Sequence, residues 1–160
     1  MNKAALYGGI AAAALLGVSA FWLLAPERAP TGPLAVELRP GDAPFVAMGQ
    51  DLYLENCASC HGANLEGEAN WRRRNARGRL PAPPHDETGH TWHHPDGVLF
   101  QLTKFGPAAL VGEGYESDMP GYEGTLTDEE ILAILSFIKS EWPEEIQLQH
   151  DGVNTRGEHR

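Results

Sequence analysis

The chain is poor in cysteine, poor in cations and without a recognisable strand pattern. Two cysteines among 160 residues exclude a disulfide-built scaffold. Twelve Lys and Arg against 22 Asp and Glu leave a formal net charge of −10. Nucleic-acid binding runs on cationic contacts to phosphate, so no nucleic-acid partner is expected. No stretch alternates apolar and polar residues as a half-buried strand does. No Ser-His-Asp set, phosphate-binding glycine loop or carboxylate pair points to hydrolysis or group transfer. The length suits one ordinary domain with flanking segments.

What is present is unevenly spread. Residues 4–25 form a 22-residue run without a charge, and 18 of them are hydrophobic. As a helix this run spans roughly 33 Å, enough for the hydrocarbon core of a bilayer. Lys3 precedes it, Phe21 and Trp22 sit near its far end, and Pro26-Glu27-Arg28 closes it. Residues 1–25 therefore read as an uncleaved, single-pass anchor. It would contact the bilayer through residues 4–25, and the remaining chain would be exported. The rival is a signal peptide cut after Val18-Ser19-Ala20. That cut would leave Phe21-Trp22-Leu23-Leu24 as an exposed apolar start.

Residues 26–42 carry Pro26, Pro30, Pro33 and Pro40 and read as a semi-extended linker. A compact domain is expected over 43–143, followed by a polar tail, 144–160, to which the sequence assigns no role. Within the domain, Phe45, Gly49, Leu52 and Tyr53 fall on one apolar stripe and predict a helix over 43–56. Gly49 weakens a helix interior, which suggests close approach by another helix. Met48, on the same helix, reads as packing. A second helix is expected over 95–105, ended by Gly106-Pro107. The clearest helix follows Thr127-Asp128-Glu129-Glu130, a capping box. Its stripe is Ile131, Ile134, Leu135, Ile138 and Trp142, broadened by Ala133 and Phe137, and Pro143 stops it. The stretch 62–94 is long, polar and loop-like, as if wrapped around something.

Cys57-Ala58-Ser59-Cys60-His61 has the C-x-x-C-H spacing of covalent haem attachment. On a helical turn two thiols three residues apart can each reach one vinyl group of the same porphyrin edge. The next residue, His61, is then directed at the iron. A thioredoxin-like redox pair expects a βαβ context, which is missing. A structural zinc site wants four ligands, which two cysteines and dispersed histidines could only just supply. Opposite His61 the iron needs a sixth ligand or an open site. Met119, in Tyr115-Glu116-Ser117-Asp118-Met119-Pro120-Gly121-Tyr122, is the candidate, since Pro120 and Gly121 suit a restrained loop. A core-filling role for Met119, or a histidine from the middle loop as ligand, are the competing readings.

On these residues the chain resembles the class I monohaem c-type cytochromes, in particular the bacterial membrane-anchored type. The resemblance covers about 43–143. It rests on Gly49 and Tyr53, on Cys57-Ala58-Ser59-Cys60-His61-Gly62, on Met119-Pro120-Gly121-Tyr122, and on Leu132-Ala133-Ile134-Leu135-Ser136-Phe137-Ile138-Lys139-Ser140. It implies an all-α class I cytochrome c fold, preceded here by a transmembrane helix. It implies one covalent haem c and electron transfer without a substrate site. Fitting partners are redox proteins such as a quinol-oxidising complex, a terminal oxidase or a dehydrogenase. It matches Gly49 with Phe137 where the first and last helices cross. It also implies a proline carbonyl that accepts the proximal histidine's hydrogen bond, with Pro81 the candidate and Pro83 and Pro84 the alternatives. The 62–94 loop is longer and more charged than in compact family members.

Two features of that loop stay open on the sequence. Trp71-Arg72-Arg73-Arg74-Asn75-Ala76-Arg77-Gly78-Arg79 holds five arginines in an acidic chain. They form a solvated loop, pair with haem propionates through one or two guanidiniums such as Arg72 and Arg73, or dock an acidic partner. Segment 85–94 holds four histidines and two carboxylates. It wraps the haem, with Trp92 over the porphyrin edge, or it binds Cu²⁺ or Zn²⁺ in a haem- or copper-responsive binding protein. A peroxidase-type haem enzyme is a third possibility.

Overall fold

A computed structural model describes residues 36–157. The expected anchor at 4–25 and most of the linker lie outside the described residues. Helix α1 is Ala43–Asn56 and the one-turn α2 is Ala58–His61. After the long loop come a short 3₁₀ turn, Thr91–His93, then α3, Asp96–Phe105, and the short α4, Pro107–Val111. Helix α5 is Asp128–Ser140 and α6 is Glu144–Gly157. No strand occurs among the described residues, and none of their helices is long and apolar enough to cross a membrane.

Each main helix begins where the sequence chemistry puts it. The Asp42 carboxylate accepts from the Phe45 amide at 3.2 Å, and Pro44 lies in the first turn of α1, where its missing N–H costs nothing. At α5 both halves of the capping box form. The Thr127 hydroxyl accepts from the Glu130 amide at 3.2 Å, and the Glu130 carboxylate accepts from the Thr127 amide at 2.7 Å. Such a cap contributes about 1 kcal/mol.

α5 is the centre of the molecule. Every side chain from Ile131 to Lys139 is buried, so this helix is covered on all sides. Its two buried polar groups are satisfied. The Ser136 hydroxyl donates to Leu132 O at 2.7 Å and accepts from Arg39 N at 2.9 Å. The Lys139 ammonium reaches Asp151 on α6 at 2.6 Å. α1 crosses α5 at Gly49. A Cβ built there would stand 2.0 Å from Ala133 O and 2.5 Å from Ala133 C, so only glycine permits the contact. The nearest atoms are thus backbone of α5. The ring of Phe137, matched to Gly49 on sequence, lies 5.4 Å from that of Tyr53. Met48, expected in packing, is 38% exposed.

The tail is not the featureless segment that its polarity suggested. α6 packs back on the domain with His150 fully buried. His150 Nε2–H donates to His94 O at 3.0 Å, and its ring meets Trp142 edge to face at 5.1 Å. Asn154 accepts from the Asp96 amide at 2.8 Å and donates back to the Asp96 carboxylate at 3.0 Å. The inward positions include a histidine and an asparagine, so an apolar periodicity search passes over them.

Two predictions follow from this packing. Gly49→Ala must push the backbones of α1 and α5 apart, at a cost near the upper end of the about 1–3 kcal/mol typical of overpacking. Chemical unfolding should show it, and an unchanged midpoint would dissolve the close-contact account. His150 is held below the usual histidine range, first by burial and then by the Lys139 charge. Its neutral form is the folded form. Stability is therefore full above the unfolded value of about 6.5 and declines as pH falls through and below it, because the unfolded chain takes up the extra proton. Between pH 7 and 5, His150→Gln should lose stability less steeply than wild type in urea titrations.

Candidate haem centre

The attachment motif straddles the end of α1. Asn56 ends that helix, Cys57 stands between α1 and α2, and Cys60 and His61 close the single turn of α2. Both cysteines are free thiols, Cys57 half-buried and Cys60 exposed. Burial pushes the Cys57 thiol up to about 11, with Cys60 adding, so it stays protonated at neutral pH. The Tyr53 hydroxyl donates to Gly62 O at 2.9 Å, which restrains the chain just after His61.

His61 is buried, and its Nδ1 lies 2.8 Å from Pro83 O. A carbonyl can only accept, so Nδ1 carries the proton. In the neutral imidazole Nε2 then keeps its lone pair, the form an iron ligand needs. Burial lowers the His61 pKa, opposed by the Pro83 bond and by Glu68, and so favours that neutral form. The accepting carbonyl belongs to Pro83, not to Pro81. The loop register decides this: Glu68 N donates to Ala82 O at 2.8 Å and His85 N donates to Leu65 O at 2.8 Å. Those two bonds leave Pro83 O between them to face His61. Leu65 adopts φ +66, a conformation a buried leucine takes only under constraint. Its carbonyl is the one that receives His85. Trp142, at the end of the α5 stripe, donates its indole N–H to His85 O at 2.7 Å and fixes the same segment from the other side. The His85 ring stacks on His61 at 4.0 Å and 20°, while His85 Nδ1 meets the Thr91 hydroxyl at 2.9 Å. Sequence reasoning had His85 only as one of a histidine cluster; no local pattern signals a stack on the proximal ring.

The Met119 segment reaches the same place from another direction. The Tyr122 hydroxyl donates to Asn56 O at 2.7 Å, beside Cys57. Burial, and then the two cysteines, push the Tyr122 pKa up to about 12. Gly121 lies against the end of α3, where an added Cβ would be 2.7 Å from Phe105 C and O. Tyr122 N and Glu123 N donate to Thr103 O and Lys104 O at 3.1 and 2.9 Å. Met119 itself is half-buried.

The other loop residues are placed as follows. Arg72 lies over the Trp71 ring at 4.0 Å and reaches Thr88 O at 3.5 Å, while Arg73 is exposed. Arg77 and Arg79 reach the Met119 segment by pairing with Asp118 and Glu116, and Arg74 lies over the Tyr115 ring at 5.8 Å. Trp92 is half-buried and stacks on His93 at 3.6 Å. His90 stacks on Trp71 at 5.4 Å and meets His94 edge to face. The histidines are thus parcelled into separate aromatic contacts. Among the described residues no group of three or more His, Cys, Asp or Glu converges on a metal position.

A family model described as Cytochrome c matches residues 46–142. The chain belongs to the cytochrome c family. Comparison with curated proteins and with solved structures finds no match. The family is one of haem-based electron carriers, and its cofactor is haem c held covalently. The residues present fit that group. Two free thiols stand at C-x-x-C spacing, and the neighbouring imidazole has one nitrogen satisfied and the other unclaimed. Large apolar side chains are exposed at Leu80, three residues before Pro83, and at Phe105, whose backbone Gly121 abuts. Cys57 and Cys60 would hold the porphyrin through thioethers, and His61 would hold the iron.

Covalent attachment has a direct check. Wild-type protein from cells that mature c-type cytochromes should keep its haem through a denaturing gel. Cys57→Ser with Cys60→Ser should lose it, and haem retained by that double variant would refute thioether attachment.

Proposed function

We propose that this cytochrome c is a one-electron carrier with His61 and Met119 as the two axial ligands of its iron. The observation that carries the reading is the meeting of two independently anchored segments. The Pro83 carbonyl leaves His61 Nε2 bare, and the Tyr122 hydroxyl ties the Met119 segment to Asn56, one residue from Cys57. Bound haem supplies the Fe(III)/Fe(II) couple. His61 donates a lone pair whose direction is set by Pro83 and by the His85 ring. The Met119 thioether favours reduced iron and raises the potential relative to a second histidine. With His61 and Met119 both holding the iron, no position on it would be left for a substrate, so the protein would work as a carrier rather than an enzyme.

In this proposal residues 1–25 anchor the chain in the cytoplasmic membrane and the haem domain works at its periplasmic face. Partners would be a quinol-oxidising complex on one side and a terminal oxidase or dehydrogenase on the other. The net charge of −10 supports salt-sensitive association with them.

The ligand assignment is tested by Met119→Ala. The oxidised wild type should show a low-spin spectrum with the weak far-red band of a thioether on ferric haem, and should bind CO poorly when reduced. The variant should lose that band and bind CO and cyanide readily. An unaltered spectrum would rule Met119 out.

A further inference from the structure

The two sides of Met119 are held in different ways. Downstream, Gly121 abuts the Phe105 backbone and Tyr122 is bonded to Thr103 O and Asn56 O. Upstream, no side chain between residues 107 and 118 is buried. Local bonds are few there: Tyr115 N donates to Gly112 O at 3.2 Å and Met119 N to the Ser117 hydroxyl at 3.1 Å. Among the described residues, the hydrogen bonds that tie 112–118 to a distant part of the chain come from two arginines. Arg77 donates to Asp118 at 2.7 Å, and Arg79 donates to Asp118 and, at 3.3 Å, to Glu116.

The arginine loop is built to present these two side chains. Asn75 Oδ1 accepts from the amides of both Arg77 and Arg79, at 2.9 and 3.1 Å. Asn75 N donates to Arg79 O at 2.8 Å, and Arg74 closes the turn by donating to Gly78 O at 2.6 Å. Gly78, at φ +78, supplies the left-handed residue that the turn requires. Five arginines in one loop thus divide. Arg77 and Arg79 face the carboxylates beside Met119, whereas Arg72 lies on Trp71 and Arg73 is exposed.

We propose that Arg77 and Arg79, gripping Asp118 and Glu116, are positioning residues that keep the Met119 thioether on the iron. The inference rests on the Met119 reading above. A thioether is a neutral, weak ligand, so the loop must keep it within bonding distance. With its downstream side fixed and its upstream side clasped by surface ion pairs and by Arg74 over the Tyr115 ring at 5.8 Å, the segment is a flap hinged near Gly121. Each exposed pair contributes little, but two guanidiniums sharing one carboxylate form a network whose removal acts on a single bond. Exposed pairs are also screened by salt, since the Debye length shrinks from about 10 Å at 0.1 M to about 3 Å at 1 M. Occupancy of the sixth position therefore depends on ionic strength through these four residues.

The test measures imidazole binding to the oxidised full-length holoprotein at pH 8, where imidazole is neutral, in 0.05 M and 1 M NaCl. The variants are Arg77→Ala with Arg79→Ala, the isosteric Asp118→Asn, and Arg72→Ala with Arg73→Ala as a control of equal charge change. The clasp variants should bind imidazole about tenfold more tightly at low salt, the sum expected of two or three exposed pairs. They should also weaken the far-red thioether band. Wild type should approach them in 1 M NaCl, while they respond little to salt. Arg72→Ala with Arg73→Ala should bind as wild type does. Equal effects in the clasp and control variants, or none in either, would overturn the clasp. If Met119→Ala keeps the far-red band, the ligand reading itself has failed; if it loses the band while the clasp variants match wild type, only the clasp has.

Discussion

The crossing of α1 and α5 at Gly49 is the contact on which the rest of this domain depends. With no side chain at that point, the two backbones approach to van der Waals distance. Phe45 and Tyr53, one turn to either side, then sink into the core beside α5. The crossing also aims the C-terminal end of α1, and Cys57, Cys60 and His61 leave from that end. α5 serves both walls of the haem site. Its start at Thr127 follows the segment carrying Met119 and Tyr122, and Trp142, just past its end, bonds the carbonyl of His85 in the wall behind His61. One buried helix thereby sets the spacing between two loops that have little regular structure of their own.

Polar groups inside this frame are placed rather than merely tolerated. His61 is neutral because it is buried, and its single proton is committed to Pro83. Buried His150, Lys139 and Asp96, with half-buried Asn154, form a second polar set that fastens α6 against α3 and α5. Buried polar atoms are costly unless paired, so such a set specifies one docking of the last helix more sharply than an apolar patch of equal area. The chain is acidic overall, yet many of its cations are matched one by one. Arg39 pairs with Glu129, Lys104 with Asp128, Lys139 with Asp151, and Arg77 and Arg79 with the carboxylates beside Met119. The scarcity of positive charge makes the arginine cluster at 72–79 informative, because two of its members close over the Met119 segment.

The attachment motif, the capping box, the helix bounds at Ala43–Asn56, the start of α5 at Asp128, and the need for a close crossing at Gly49 could be read from the sequence; the end of α5 at Ser140, short of the expected Trp142, could not. These are local matters: a thiol pair at fixed spacing, a hydroxyl and a carboxylate three residues apart, a period of 3.6, a glycine where a side chain would cost less. They do not depend on what lies across the fold. The choice of Pro83 over Pro81, the stack of His85 on His61, the pairing of Arg77 and Arg79 with Asp118 and Glu116, and the docking of α6 were decided by tertiary structure alone. Each turns on loop register or on which partner arrives from far along the chain. A one-residue shift in a loop exchanges one proline carbonyl for its neighbour, and no periodicity records that register. The inward face of α6 carries a histidine and an asparagine, whose value inside a protein exists only once His94 and Asp96 stand opposite them. Sequence alone determined the chemistry at the end of α1 because that chemistry is contiguous; the walls around it are assembled from distant segments, so only the folded chain could say which atoms they present.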